Sequence, residues 1–182
     1  MATWPTAWTL RWVVRVDQSF TEFVEQRSTR LLRTAYLLTG DRGHAEDLLQ
    51  TALLRTAAQW PRARDAPLAY ARQVLVNLAR DDWRRRARRP REGPYDGQFD
   101  RGEQDAGDRV AHRRVVVAAL ARLPIRQREV IVLRFFEDLS VEQTAGLLDC
   151  SIGTVKSYTS RALSRLREEL TPDLLEVPHA DR

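Results

Sequence analysis

The chain has 182 residues, 43% hydrophobic and 30% charged, with a net charge of +5 and a pI near 10.1. That is enough apolar material for packed cores, and the positive excess suits an anionic partner, either nucleic acid or an acidic membrane surface. A single cysteine, Cys150, excludes an internal disulfide and a multi-cysteine metal site and fits a reducing cytoplasm, and no run is long enough to span a bilayer.

Residues 1–16, "MATWPTAWTLRWVVRV", form an N-terminal extension with Trp4, Trp8 and Trp12 four apart, one stripe if helical. Arg11 and Arg15 interrupt any signal-peptide core, and a poorly ordered extension is expected, with membrane-surface contact as the alternative. From Asp17 to Leu38 apolar residues recur with a helical period at Phe20, Phe23, Val24, Leu31, Ala35 and Leu38. Gly40 stops this helix and Asp41 caps the next. In "HAEDLLQTALLRTAAQW", Ala45, Leu48, Leu49, Ala52, Leu53 and Ala57 share one broad face. Pro61 and Pro67 bracket "PRARDAP", read as a loop that continues neither helix. A third helix, "LAYARQVLVNLARDDWRRRARR", buries Leu68, Ala71, Leu75 and Leu78 and then turns strongly basic, with six arginines between Arg84 and Arg91.

From Pro90 the stretch "PREGPYDGQFDRGEQDAGD" is acidic and rich in Pro and Gly, with no apolar period, and reads as a flexible linker over residues 91–109. Helical period resumes at Val110. Pro124 punctuates it, and "IRQREVIVLRFF" predicts one further helix. Ser140 and Gln143 then form a capping box. The helix it opens, Val141 to Leu148, is followed by the break "DCS" and a last helix from Ile152 to about Leu170, with Ile152, Val155, Leu163 and Leu166 expected on its inner face. No strand-like alternation of useful length occurs. The fold class is therefore all-α: two small helical domains, residues 17–90 and 110–172, joined by a flexible linker and followed by a tail over 173–182.

Two short helices joined by a tight turn, the second rich in small polar and basic residues, are a helix-turn-helix signature. Packing of one side leaves Thr154, Lys156, Ser157, Ser160 and Arg161 outward. Lys156 is the only lysine among 30 Lys+Arg residues. Lysine and arginine can donate to guanine edges in a major groove, and serine and threonine to bases or phosphates. Gly153 lets a backbone approach closely, and the helix N-terminus offers free amides to a phosphate. A solvated amphipathic helix would carry the same charges, but the capping box, short turn and basic face occur together.

"AEDLLQTALLRTAAQW", "LAYARQVLVNLARDDWRRRARR" and "LPIRQREVIVLRFFEDLSVEQTAGLLDCSIGTVKSYTSRALSRLREEL" together resemble the bacterial sigma factors of the extracytoplasmic-function group, most closely the SigE-like actinobacterial branch. The resemblance covers about residues 17–170. It implies that residues 17–90 are sigma region 2 and residues 110–172 sigma region 4, that the protein binds core RNA polymerase, directs it to promoters and helps open the DNA, and that it acts in the cytoplasm without a cofactor. It further implies that Asp47, Leu48 and Gln50 dock on the clamp helices of the β′ subunit. The family often has Glu and Phe in the next turn, where this chain has Thr51 and Leu53. By the same resemblance "PRARDAP" captures a flipped base of the −10 element, and Asn77, Arg80, Arg84 and Arg85 belong to the −10 and melting surface. The last helix corresponds to the −35 reader, the β flap is a second polymerase contact, and an anti-sigma factor is a common partner in such families. A flipped base must be held by stacking or hydrogen bonds, and the arginine cluster would provide a cationic track for a single strand. Trp83 is expected in helix packing rather than as a stacking platform, while Tyr158 could touch DNA or pack beneath its helix.

Other classes of function fit less well. His44, His112 and His179 are scattered without metal-ligand spacing. The adjacent carboxylates Glu46–Asp47 and Asp81–Asp82 diverge on their helices by about 100°, and no glycine-rich phosphate loop is present, so catalysis is not expected. A conventional repressor has no need of "AEDLLQ" or of the arginine-rich third helix. A membrane-associated regulator would use the tryptophan stripe, and no stable membrane insertion is expected.

Overall fold

The computed structural model describes residues 17–88 and 108–175, so the tryptophan stripe, nearly all of the 91–109 linker and the end of the tail lie outside the described residues. Every regular element within them is helical: α1 (Gln18–Thr39), α2 (Arg42–Ala58), α3 (Trp60–Ala63), α4 (Pro67–Arg88), α5 (Asp108–Arg122), α6 (Ile125–Ile131) running into a π-helical turn (Val132–Phe136), α7 (Val141–Leu148) and α8 (Ile152–Leu175).

Local chemistry sets the ends of the first helices. Asp17 caps α1 by accepting from the Ser19 amide at 2.9 Å. Gly40 ends α1 in the left-handed region at φ +76°, a conformation that costs glycine little. Asp41 then opens α2 by accepting from the His44 amide at 2.6 Å. Where "PRARDAP" reads as a loop, the chain first makes the single turn of α3, because Pro61 falls in its first turn, where the missing N–H is no loss. Trp60 fastens that turn down. Its ring meets Phe20 edge-on at 5.0 Å and Phe23 at 5.6 Å, and its indole N–H donates to Ser19 Oγ at 3.0 Å.

In the N-terminal half, α1, α2 and α4 bury Leu31, Ala35, Leu38, Ala45, Leu49, Ala52, Ala71, Leu75 and Val76 against one another. The stretch "IRQREVIVLRFF" is not one uniform helix. At its end the Glu137 amide bonds five residues back, to the Val132 carbonyl at 3.0 Å. The extra residue in this turn rotates the next side chains by about 100° relative to an α-helix. Phe135 and Phe136 face outward and Glu137 faces inward.

The inner stripe of α8 is Val155 and Ala162, both fully buried, with Tyr158, Thr159 and Leu166 partly covered alongside. Ile152 and Leu163, expected inside, are exposed, because at about 100° per residue each stands roughly 60–80° off the line through Val155. The two halves are not separate bodies on a tether. One buried apolar cluster runs from Phe23, Leu31 and Leu75 through to Val130, Leu133, Leu148 and Val155, while Leu120, Leu123, Ile131 and Ala162 form a second beneath Leu37.

Candidate nucleic-acid interface

The turn between α7 and α8 is built from local bonds. Ser140 Oγ accepts from the Gln143 amide at 3.0 Å and Gln143 Oε1 accepts from the Ser140 amide at 2.8 Å, completing the capping box. Asp149 closes α7 in the left-handed region at φ 52°, which a short polar side chain tolerates. Ser151 caps α8 by accepting from the Thr154 amide at 3.0 Å, and its hydroxyl lies 2.9 Å from that of Thr154. Thr154 is therefore half-buried and engaged in its own helix start, whereas Lys156, Ser157, Ser160 and Arg161 are exposed together. Glu142 sits in the first turn of α7. Its carboxyl is held below the usual carboxylate range by its own backbone N–H and by Ser140, with smaller help from Arg134 and Lys156. Tyr158 leans away from the exposed face and packs against the apolar cluster.

On α4, Asn77, Arg80 and Arg84 follow one another at three- and four-residue spacing, one stripe along the helix. Asn77 is exposed and its Oδ1 accepts from Gln73 Nε2 at 3.3 Å. Arg84 and Arg85 are exposed and pair loosely with Asp81 and Asp82 at 3.8 and 3.7 Å. Such surface pairs hold by at most about 1 kcal/mol and give way to a stronger anion. Asp82 also takes Arg86 at 2.7 Å and His44 Nε2 at 2.9 Å, which ties α4 to α2. Arg80 differs from its neighbours. It lies beneath α6, bound to Glu129 by two contacts of 3.0 and 3.3 Å, and is not free to meet another anion in this conformation. Trp83, expected in helix packing, is 47% exposed and lines a cavity of about 290 Å³ with Arg80, Arg84, Ile125, Arg126 and Tyr158.

On α2 the structure corrects one residue. Leu48 is 6% exposed and belongs to the core, as its place on the inner face requires, so it presents nothing to a partner. Asp47 and Gln50 are exposed, and the same face ends at Leu54, which is 72% exposed. The motif "AEDLLQ" stops short of Leu54. The helical spacing 47, 50, 54 would have reached it.

Family patterns match both halves: Sigma-70 region 2 over residues 23–89 and Sigma-70 region 4 over residues 113–166. The RNA polymerase sigma-E factor of Streptomyces avermitilis is 44% identical over 165 residues, covering 90% of this chain and 91% of that protein. The ECF RNA polymerase sigma factor EcfG of Rhodopseudomonas palustris is 33% identical over 144 residues, 76% of this chain and 78% of its own. The chain belongs to the extracytoplasmic-function sigma factors. Among solved structures, the sigma factor RpoE of Bartonella quintana, in complex with the anti-sigma factor NepR, aligns with a TM-score of 0.64 at 27% identity, covering 86% of this chain and 99% of that one. CnrH, in complex with the cytosolic domain of CnrY, shares the fold at a TM-score of 0.63 and 22% identity over 86% of this chain and 90% of its own.

As a sigma factor this protein is a non-enzymatic initiation factor that binds core RNA polymerase and promoter DNA and directs the polymerase to promoters. Among the described residues, no group of His, Cys, Asp or Glu is placed to hold a metal ion and no helix is long and apolar enough to cross a membrane.

Proposed function

We propose that the sigma factor divides its work among three faces, with residues 17–90 acting as region 2, residues 91–109 as the linker and residues 110–172 as region 4. The exposed face of α2, with Asp47, Gln50 and Leu54, docks on the clamp helices of the polymerase β′ subunit. The α4 stripe of Asn77, Arg80 and Arg84, with Arg85 beside it, takes the −10 strand and helps nucleate melting. The face of α8 carrying Lys156, Ser157, Ser160 and Arg161 reads the −35 element, with Thr154 positioning the start of that helix. Exposed Phe135 and Phe136 offer an apolar contact for the β flap. The protein works in the cytoplasm, where its polymerase is, and an anti-sigma factor is a further partner on the precedent of the complex of the Bartonella relative.

The observation that carries this reading is the contrast along α8. With Val155 and Ala162 buried and Leu166 partly covered on its inner side, it leaves one polar, cationic strip exposed, which is what a helix seated in a major groove requires. The test is quantitative footprinting of the holoenzyme on promoter variants. Lys156→Ala should reduce discrimination within the −35 element and leave core binding unchanged. An equal fall in core binding would show that the helix has another role.

A further inference from the structure

We propose that the cavity on the seam between the two halves is a binding site for a nucleoside phosphate, its base held by Trp83 and Gln127 and its phosphates by Arg84 and Arg126. The inference does not depend on the division of promoter elements proposed above.

Most of the seam is closed by side chains that satisfy one another. Glu137, buried at the end of the π turn, accepts from Arg72 Nη2 at 2.8 Å and Nε at 3.0 Å. Gln73 Nε2 donates to the Leu147 carbonyl at 3.0 Å. Beside Trp83 the packing stops short and leaves the cavity of about 290 Å³, at the small end of the range for small-molecule sites. Its lining holds three guanidiniums, those of Arg80, Arg84 and Arg126, and no carboxylate. Glu129 serves two of them: it binds Arg80 with both oxygens and meets Arg126 Nη1 at 3.4 Å. Arg84 meets Asp81 at 3.8 Å, a loose surface contact. Arg80 is thus fully engaged, while Arg84 and Arg126 are partly exposed and able to take an anion.

Two features ask for more than charge. Gln127, a lining residue, is only 7% exposed, and its Oε1 has no hydrogen-bond partner. A buried carbonyl oxygen left unmatched is costly, and a ligand N–H would satisfy it. Arg128 Nε and Thr144 Oγ1 are also unpartnered, but neither residue lines this cavity. Trp83 is half exposed, and among the described residues the ring contacts belong to Phe20, Phe23 and Trp60, so its indole has no aromatic partner. Tyr158, from α8, gives the cavity a second aromatic surface. An indole in this state is an open platform for a flat ring.

The three demands select the ligand. Inorganic phosphate meets the cations alone, and an aliphatic acid brings neither a ring nor an N–H. A nucleotide brings all three. Its base stacks on Trp83, an N–H of the base donates to Gln127 Oε1, and its phosphates meet planar guanidinium forks that match their oxygens. A cavity of this size seats the base, which leaves the phosphates at the rim, where Arg84 and Arg126 stand.

The test is calorimetric titration of the full-length protein with ATP and with GTP, alongside proton–nitrogen correlation spectra in which Trp83→Phe assigns the Trp83 indole peak. At least one nucleotide should bind saturably, one per chain, and move that peak. Inorganic triphosphate, which has the charge without the ring, should bind more weakly by about tenfold or more. Purine riboside triphosphate, whose base has no N–H, should lose about 2- to 10-fold. Trp83→Ala should weaken nucleotide binding about 5- to 100-fold, and Arg126→Ala about tenfold. Gln127→Leu removes an unmatched buried oxygen, so it should keep or raise the melting temperature while weakening nucleotide binding about 2- to 10-fold. A purely structural glutamine would do the reverse. Circular dichroism checks the fold of each variant, and the analogue series on wild type decides the matter where a variant does not fold. No saturable binding of either nucleotide overturns the site. Equal affinity for inorganic triphosphate or an unmoved Trp83 peak overturns it too, and shows adventitious anion binding by a basic chain. Equal affinity for purine riboside triphosphate overturns the role of Gln127.

Discussion

Leu54→Ala isolates polymerase docking from folding. The side chain is 72% exposed, so its truncation removes little from the core and should move the melting temperature hardly at all. Burying a leucine completely is worth about 1.5–3 kcal/mol. The share still exposed here would bring about 1–2 kcal/mol to a partner that covers it, or about 5- to 30-fold in dissociation constant at 1.4 kcal/mol per decade. Fluorescence titration of labelled protein with core polymerase reads this directly. Leu48→Ala is the matched control. It opens a cavity beneath α2, should cost about 2–5 kcal/mol of stability and should weaken core binding only through unfolding. An unchanged core affinity for Leu54→Ala refutes the docking face. So does a loss that tracks a fall in melting temperature.

Other outcomes are expected from the same geometry. Gly40→Ala places a Cβ 3.3 Å from that of Ala121 in a backbone conformation unfavourable to L-residues, so it should cost about 1–2 kcal/mol in urea unfolding. If Lys156 meets only phosphate, Lys156→Ala should lower affinity alike on all duplexes and reduce the salt slope by about one; if it reads a base, the loss should depend on sequence. Asp17 and Glu142 are both held below the ordinary carboxylate range in the fold, Asp17 chiefly by the Ser19 hydroxyl and amide. The stability they add is present above their unfolded values, near pH 4, and is lost as pH falls through the folded ones. Between pH 5 and pH 3, Asp17→Asn/Glu142→Gln should therefore lose less stability than wild type in urea titrations.

What could be read from the chain alone was local. The Ser140–Gln143 box, the Gly40 stop and the Asp41 cap depend on residues three or four apart, and apolar period marked the helices. The outward strip of α8 followed from the same arithmetic, although Ile152 and Leu163 misled because hydrophobicity was read without their angular offset from Val155. The π turn was invisible, since nothing in "VLRFF" distinguishes a bond five residues back from one four back. The seam was invisible for a different reason. Arg72–Glu137 and Arg80–Glu129 join residues 65 and 49 apart, and in so arginine-rich a chain composition cannot select the partners. Arg80 and Leu48 show the limit of carrying a family surface over by motif. One is engaged by α6 and the other is core, and only the packing reveals it.

On the proposed division of the two promoter elements between α4 and α8, promoter selection needs both helices. The most direct test is start-site sequencing of transcripts from core polymerase reconstituted with the full-length protein on a library of promoter fragments. Defined start sites preceded at fixed spacing by shared −10 and −35 elements are the expected result, with Lys156→Ala relaxing the −35 element and Arg84→Ala/Arg85→Ala reducing open complexes at unchanged −35 selection. Absence of core binding, or start sites no different from core polymerase alone, would contradict it.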